Sequence, residues 1–478
     1  MGIENINTTG LSLKVLNKTQ IMNIHSASLE ILRRTGVRVF ENEALNILKD
    51  NGCFIEDGNL VKMPAALVEW AIDIAPSQVT ICNRNGEPTM FLQNDNVYFG
   101  PGSDCPFIMD PYTNERRKFV KKDIEDVAKL CDYLPNIDFA CTLGIASDVT
   151  SERADRHHFE AMLLNTSKPV IFTAMDLNGL MDIVKMSVEV YGSLEKLQKD
   201  PFLLLFSPPV APLRHPKEGM QKLLYMAENK LPIAYVAGVL AGATGPVTMA
   251  GSLAQANAEI LSGLVISQLK RKGTPCLHGG AILLFDMKTG EPSYGAPEML
   301  LMTAAFTDIA KYYELPMFSY SGVTDSKVLD QQAAIESAFW ILFPALSGGH
   351  LAHDIGFMES GVCGSMELIV LCDEVIGMIK KIRKGILVNK ETLALDVINK
   401  VGSGGTFIDT DHTFNNFKKN WQPNFFDRFS YEFWKNNGGL SVNTKLNNKV
   451  KEILENHVSK KLDIEVVEKI HRIVEGVK

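Results

Sequence analysis

Short apolar runs alternate with helix-periodic stretches from about residue 97 to residue 385 of the 478-residue chain. Each run is apolar on both faces and precedes a segment with helical spacing, a pattern typical of a parallel sheet buried under helices. The candidate strands are residues 97–100, 137–143, 169–175, 202–207, 232–238, 275–279, 316–321 and 350–355.

Eight strand–helix units predict an α/β fold, a closed (β/α)8 TIM barrel, with an open doubly wound sheet as the alternative. The first glycine-rich turn, from Gly100 to Asp104, lacks the GxGxxG spacing, so a dinucleotide-binding sheet is not favoured. In the helix predicted over 252–272, Asn257 and Glu259 stand among apolar residues, and we interpret them as groups that brace loop backbone. The other predicted helices include residues 122–134, 216–229, 296–313, 331–346 and 365–384.

The regions on either side of the predicted barrel have different patterns. Residues 1–95 predict an α+β extension, with a hairpin around the turn Asp57-Gly58 and a helix that opens at Pro64. Residues 96–390 form the predicted barrel, and residues 391–478 form a C-terminal helical region that packs on it. Within that region, residues 406–434 are rich in Phe and carry His412 and Trp421, and we expect them to cover the barrel mouth or to meet a partner.

Composition excludes several classes of protein. The net charge is -8 with no basic stripe, which argues against nucleic-acid binding. The sequence contains no run of about 18 apolar residues, so no membrane span is predicted. The first residues do not resemble a signal peptide, and we therefore expect a cytoplasmic protein. The eight cysteines form no CxxC pair, and most have apolar neighbours, which predicts buried thiols in a reducing compartment.

The chemistry of a barrel enzyme lies in the loops at the carboxyl ends of the strands. His353, Asp354 and Glu359 follow or end the eighth predicted strand, and we predict them to be the catalytic residues. Strand alternation predicts that His353 and Asp354 point to opposite sides. The sequence has neither the HxH nor the HExxH spacing of a metal site, so no metal site is predicted. It also lacks the GxSxG motif that would predict a hydrolase nucleophile.

Several blocks of the sequence resemble the trimethylamine methyltransferase (MttB) superfamily. The most specific is 353–361 (HDIGFMESG), and the similarity extends over nearly the whole chain. The other blocks are 29–39 (LEILRRTGVRV), 97–102 (VYFGPG), 134–139 (LPNIDF), 241–248 (AGATGPVT), 255–259 (QANAE), 295–298 (GAPE) and 422–427 (QPNFFD).

This resemblance implies a (β/α)8 barrel that removes a methyl group from an amine and transfers it to a cognate corrinoid protein. The founding members carry pyrrolysine, whereas this chain has only the twenty standard residues. It therefore resembles the non-pyrrolysine branch, whose known members act on quaternary amines such as glycine betaine, proline betaine or carnitine. We take glycine betaine as the first candidate. The resemblance implies no tightly bound cofactor on this chain, because the cobalamin is carried by the partner protein.

A quaternary ammonium group is already cationic, so the enzyme needs orientation and desolvation more than acid–base chemistry. Such a cation is expected to lie in an aromatic cage. The candidate cage residues are Tyr98, Phe99, Phe107, Tyr320 and Phe357. The candidate donors for a substrate carboxylate are His353, His278, Lys327 and His412.

Two other functions stay open at this point. One is a different barrel enzyme, such as a lyase that uses His353 and Asp354 as acid and base, and the other is a non-catalytic betaine-binding subunit. A homo-oligomer is also expected for an enzyme of this kind.

Overall fold

The structure is a computed structural model that describes residues 11–476. Its strands fall into one large sheet and three small ones. In chain order, the strands are β1 (Val37–Val39), β2 (Phe54–Glu56), β3 (Leu60–Lys62), β4 (Val79–Cys82), β5 (Pro88–Leu92), β6 (Tyr98–Pro101), β7 (Phe107–Met109), β8 (Arg116–Lys118), β9 (Val170–Phe172), β10 (Leu203–Phe206), β11 (Arg214–His215), β12 (Ile233–Ala234), β13 (Ala237–Ala241), β14 (Cys276–Asp286), β15 (Glu291–Ser293), β16 (Met317–Tyr320), β17 (Leu351–Ile355), β18 (Phe357–Met358) and β19 (Cys363–Gly364).

Helices follow most strands of the large sheet, as the periodicity predicts. They are α1 (Lys18–Glu30), α2 (Asn42–Asp50), α3 (Ala65–Ile74), α4 (Lys121–Tyr133), α5 (Ala154–Asn165), α6 (Leu177–Tyr191), α7 (Leu194–Lys199), α8 (Lys217–Glu228), α9 (Met249–Lys270), α10 (Pro297–Tyr312), α11 (Gln331–Ser347), α12 (Met366–Arg383), α13 (Lys390–Leu393), α14 (Leu395–Val401), α15 (Asp411–Asn416), α16 (Tyr431–Asn436), α17 (Val442–Asn456) and α18 (Ile464–Glu475).

The central sheet runs in the order β6-β17-β16-β14-β12-β10-β9, and all its neighbours along this path are parallel. Strands that are neighbours in the sheet belong to units that follow one another along the chain. The last of these strands, β17, lies beside the first, β6. The parallel α/β prediction is therefore confirmed, and the carboxyl ends of these strands meet at one end of the sheet, which we call the mouth.

The assigned strands do not form the predicted closed barrel, because the path is open between β9 and β6. The predicted second strand, residues 137–143, occupies this gap without forming a ladder. The Asp138 N–H donates to the Phe99 carbonyl at 2.6 Å, and the Ile171 N–H donates to the Ala140 carbonyl at 2.9 Å. Leu143 has a φ of +61°, which interrupts the extended conformation. The segment therefore bonds to both edges of the sheet through isolated bridges only.

The N-terminal helices α1, α2 and α3 lie against α9, outside the central sheet. The strands of this region form the sheet β11-β1-β3-β2, in which β11 comes from the loop that follows β10. A strand from the loop after β10 thus completes the small sheet of the extension. The predicted boundaries after residues 95 and 390 remain predictions.

The last two helices pack against helices on the outside of the central sheet. α17 buries Leu446, Val450 and Ile453 against α4 and α12. The last helix, α18, packs against α5 and α6. All eight cysteines are buried and unpaired, as predicted. Within residues 11–476, no helix is long and apolar enough to span a membrane.

Glu259 connects α9 to the loop that leaves β10 at the mouth. Its Oε1 atom accepts the Leu213 N–H at 2.9 Å and the Gln255 amide at 3.1 Å, while Oε2 is buried and has no partner within residues 11–476. Glu259 thus braces loop backbone, as the sequence analysis predicts. Burial raises the pKa of Glu259 to about 7.

We expect this carboxyl group to make stability fall as the pH rises. Its folded pKa lies above its unfolded value, so its favourable contribution is complete below about pH 4.5 and is lost as the pH rises to about 7. Glu259→Gln keeps an acceptor for Leu213 and should remove on the order of 2–3 kcal/mol of that pH dependence. The measurement is the melting temperature between pH 5 and pH 8. The exposed Glu468→Gln is the control, and identical pH profiles for wild type and Glu259→Gln would contradict the account.

Candidate active site at the mouth

A β-bulge at the end of β17 brings His353 and Asp354 to the same side. The register between β17 and β6 shifts between Ala352 and Ile355, and Asp354 has a φ of +80°. His353 Nε2 lies 2.9 Å from Asp354 Oδ1, and both side chains are buried. The prediction that they point to opposite sides is therefore wrong, because a bulge breaks the alternation of the strand.

Aromatic rings surround His353 inside the curved sheet. Its ring centroid lies 4.4 Å from that of Phe318, 4.8 Å from that of Tyr320 and 5.4 Å from that of Phe206. Phe206 also stacks on Phe318, with centroids 5.3 Å apart and planes 10° apart. Because β12 and β14 lie between β10 and β16, this stack spans the concave side of the sheet. His353 thus faces the interior of the mouth.

The second ring nitrogen of His353 is available for a ligand. Nε2 lies 2.9 Å from Asp354 Oδ1, whereas Nδ1 is buried and has no partner among the described residues. A buried nitrogen without a partner carries a desolvation penalty, which a bound polar group would remove. The Asp354 carboxylate fixes the orientation of the ring, so Nδ1 is held in one position.

Asp104 is a mouth residue that the sequence analysis did not select. It follows the glycine-rich turn after β6, and its side chain keeps accessible surface. Protein nevertheless surrounds it closely, so burial raises the pKa of Asp104, and the nearby Asp354 carboxylate adds to the rise. An accessible carboxylate in such surroundings can bind a cation. Its position directly after a glycine-rich strand end was the available signal.

Two further rings flank these carboxylates. Burial raises the pKa of the Tyr294 hydroxyl well above its usual range, and the charges of Asp354 and Asp104 raise it further. The Tyr294 ring lies 6.5 Å from that of Phe357. Tyr294 is fixed by its backbone, since its N–H donates to Asp325 at 2.8 Å and its carbonyl accepts from Trp340 at 2.7 Å. The sequence analysis missed Tyr294 because it follows β15, a short strand that the sequence analysis did not predict.

Glu359 belongs to a second cluster, at the rim of the mouth. Its carboxylate accepts from Arg116 at 2.9 Å, and Arg116 lies 3.6 Å above the ring of Phe107. Two predicted site residues, Glu359 and Phe107, therefore meet through an arginine. Neither has a described contact with His353.

The remaining predicted residues lie elsewhere. His278 points toward the helices, where its Nε2 donates to Asn257 at 2.9 Å and burial lowers its pKa to about 3. Tyr98 accepts the Phe91 N–H at 3.0 Å, below the sheet, and Phe99 is buried in the core. Lys327 is exposed and donates to the Asp325 carbonyl.

His412 lies in α15, where the amide of Asn416 is 3.4 Å from its Nδ1.

Four residues of the predicted set therefore come together with Asp104. They are His353, Asp354, Tyr320 and Phe357.

Gly102 makes room for this cluster. A Cβ atom at this position would lie 2.4 Å from Asp354 Oδ1 and 2.4 Å from Phe357 Cζ. Gly102→Ala should therefore displace Asp354 or Phe357 and reduce the free energy of unfolding by about 1–3 kcal/mol. Gly238→Ala is the control, because nothing lies within 4 Å of that Cβ position, and it should change stability by less than about 0.5 kcal/mol. Denaturant unfolding measures both, and equal stability of the two variants would contradict the described packing.

Solved structures of a monomethylamine methyltransferase have the same fold. The monomethylamine methyltransferase MtmB of Methanosarcina barkeri has a TM-score of 0.51, with 94% of this chain and 89% of that chain covered. A hydroxylamine complex of MtmB gives a TM-score of 0.52, with 93% and 88% covered. Sequence identity is 10% in both cases, so this similarity concerns the fold alone.

Relatives with higher identity are named as methyltransferases. The trimethylamine methyltransferase MttB of Desulfitobacterium hafniense (strain DSM 10664 / DCB-2) is 32% identical over 87% of this chain and 84% of its own length. MttB of Methanosarcina barkeri (strain Fusaro / DSM 804) is 32% identical over 98% and 95%. The glycine betaine methyltransferase of Desulfitobacterium hafniense (strain Y51) is 30% identical over 87% and 88%.

The family model described as trimethylamine methyltransferase (MTTB) matches residues 2–476. The resemblance inferred from the sequence blocks is thereby confirmed over nearly the whole chain. The protein is an amine methyltransferase and belongs to the trimethylamine methyltransferase (MTTB) family.

Proposed function

We propose that this protein transfers a methyl group from a quaternary amine to the Co(I) of a corrinoid carried by a partner protein. The observation that carries the proposal is the accessible Asp104 carboxylate, set among the rings of the mouth. A carboxylate beside aromatic faces suits a quaternary ammonium ion, which is attracted by the ring quadrupoles and by the negative charge. The same argument selects Tyr320 and Tyr294 as cage residues.

Glycine betaine is our first candidate substrate, and one relative carries the name glycine betaine methyltransferase. Its trimethylammonium group would lie against Asp104, and its carboxylate would lie at Nδ1 of His353, the ring nitrogen that faces away from Asp354. Both ends of a zwitterion thus have a matching partner in the mouth.

The proposed reaction breaks one C–N bond, and its electron pair stays on nitrogen, so a neutral tertiary amine leaves. The partner's Co(I) supplies the electron pair that binds the methyl carbon. The residues of this chain orient one methyl group toward the open side of the mouth and exclude water around it. No proton transfer is required, which gives His353 and Asp354 a positioning role.

We also infer that the central sheet and residues 137–144 together act as the predicted (β/α)8 barrel. The support is that this segment bonds to strands at both open edges. A barrel of this kind concentrates its functional groups at the carboxyl ends of its strands, where Asp104 and His353 lie. We further propose a cytoplasmic location, since eight buried unpaired thiols suit a reducing compartment.

The partner would dock on the rim of the mouth. An exposed large apolar side chain lies in the loop after residues 137–143, in the loop after β13, and in each loop that leaves the carboxyl end of β9, β10, β14, β16 or β17. These side chains are Ile145, Met175, Val210, Val247, Met287, Val328 and Val362. Such a ring of apolar side chains around an opening is typical of an interaction surface. It suits a broad, flat corrin that must approach the mouth face-on.

The first test is a substrate panel with free Co(I) cobalamin, followed by the absorbance of the methylated product. We expect turnover with a quaternary betaine and little or none with trimethylamine. Equal turnover of trimethylamine would contradict the quaternary assignment. Tight betaine binding without any dimethylated product would instead support a non-catalytic binding subunit. Complete loss of turnover in His353→Gln and Asp354→Asn would favour an acid–base reaction, because positioning residues should leave part of the rate.

The second test asks whether binding of the cation depends on the negative charge of Asp104. Asp104→Asn should weaken binding of glycine betaine at least tenfold, while 3,3-dimethylbutanoate, in which carbon replaces the cationic nitrogen, should lose less than twofold. Wild-type affinity for the cation should also increase as the pH rises through the raised pKa of Asp104, because only the carboxylate attracts it. Titration calorimetry gives both results. The exposed Glu291→Gln is the matched control, and an equal loss for the two ligands would contradict the assignment.

The third test concerns the rim. Met175→Glu with Met287→Glu should raise the KM for the corrinoid protein about tenfold, and should change the rate with free cobalamin by less than twofold, because both residues lie outside the cage. Met22→Glu on α1 is the control for an exposed methionine away from the rim. A parallel loss with free cobalamin, or no loss with the protein, would contradict a docking role.

A further inference from the structure

One segment of this chain forms helices without burying their side chains. Residues 386–420, which we call the arm, contain α13, α14 and α15, yet none of their side chains is buried. Ten large apolar residues of the arm are exposed, several of them to more than two thirds. They are Ile386, Leu387, Val388, Leu393, Leu395, Ile398, Phe407, Ile408, Phe414 and Phe417.

The arm is attached to the rest of the chain only at its base. In the described part of the chain, one hydrogen bond joins the two, from Lys381 Nζ to the Lys419 carbonyl at 3.0 Å. The other hydrogen bonds of the arm are internal and include the caps at Asn389 and Thr410. After the arm, the chain returns to α12, where Glu374 accepts the Asn424 N–H at 2.7 Å.

The helices of the arm can persist only if another protein surface packs against their apolar side chains. Its helices have between four and seven residues, well below the length at which an isolated helix persists in water. Helical structure in proteins depends on packing an apolar face, and residues 11–476 bury no side chain of the arm. Ten exposed large apolar residues in a segment of this length are also unusual for a soluble monomer. The arm therefore needs a partner that is present whenever the chain is folded.

The position of the arm excludes the corrinoid protein as that partner. α12 starts near the mouth and ends at Arg383, which donates to the Asp95 carbonyl just before β6. The arm thus leaves at the amino ends of the strands, one helix length or about 27 Å from the level of the mouth. A protein that presents cobalt to the mouth covers the opposite end. Its docking is also transient, whereas the arm needs permanent cover.

We propose that the arm packs on a second copy of this chain and holds the protein as a homo-oligomer. A second copy is made in equal amount and can exchange arms reciprocally. Charge does not oppose this contact, because the arm has four basic and four acidic residues in a chain with a net charge of -8. Ten half-exposed apolar side chains amount to about 1,000 Å² per arm, so two arms reach the size of a permanent interface.

The test compares the mass of the full-length protein with that of an arm variant. Ile408→Asp with Phe414→Asp should raise the dissociation constant of the oligomer at least 100-fold and give particles of 52.9 kDa at micromolar concentration. Met287→Asp is the control, since that residue is as exposed as these two but lies at the mouth. Sedimentation velocity gives the masses, and the control should keep the wild-type mass.

Two additional readouts separate association from misfolding. The arm variant should keep the wild-type circular dichroism and its rate with free Co(I) cobalamin, because the mouth lies at the other end. Amide exchange in the arm should be slow in the oligomer and should become at least tenfold faster in the variant. A monomeric wild type, an unchanged mass of the variant, or protected arm amides in a monomer would each overturn the proposal. None of these results depends on which amine is the substrate.

Discussion

The bulge at the end of β17 is the feature on which the candidate site depends. It turns Asp354 toward His353, so that one short strand end supplies an oriented imidazole and a buried carboxylate to the same space. Gly102 accepts the displaced carboxylate, since only a residue without a Cβ fits there. Asp104 and the surrounding rings then complete a mouth that is negative and aromatic. A strand with regular alternation would have directed one of the two side chains to the other face of the sheet.

Much of the fold was predictable from the hydrophobic pattern, and the reasons for the exceptions are local. Seven of the eight candidate strands are strands of the central sheet, because burial on both faces leaves a continuous apolar run. Residues 137–143 carry the same pattern but form bridges only, since Leu143 has a positive φ. The pairing of β11 with β1 could not be predicted from the local sequence, because the two strands lie far apart in the chain.

The candidate site was predictable in part. Clustering of polar residues at strand ends identified His353 and Asp354 but not their common orientation, which depends on a backbone irregularity. His278 looked equivalent in sequence, yet its ring points to Asn257 and the outer helices. Asp104 and Tyr294 are in loops, where their approach to the mouth depends on tertiary packing. The candidate site and the apolar rim lie at the mouth, and the arm leaves the fold at the opposite end.

The central claim is that a permanent cation lies between Asp104 and the rings of the mouth. A crystal structure of the protein with bound glycine betaine tests it most directly. The account predicts the trimethylammonium nitrogen within about 6 Å of the Tyr320 or Tyr294 ring centroid, with the Asp104 carboxylate on its other side. A ligand bound instead at the Arg116–Glu359 cluster, or between Asp95 and Lys311 at the amino ends of the strands, would contradict it.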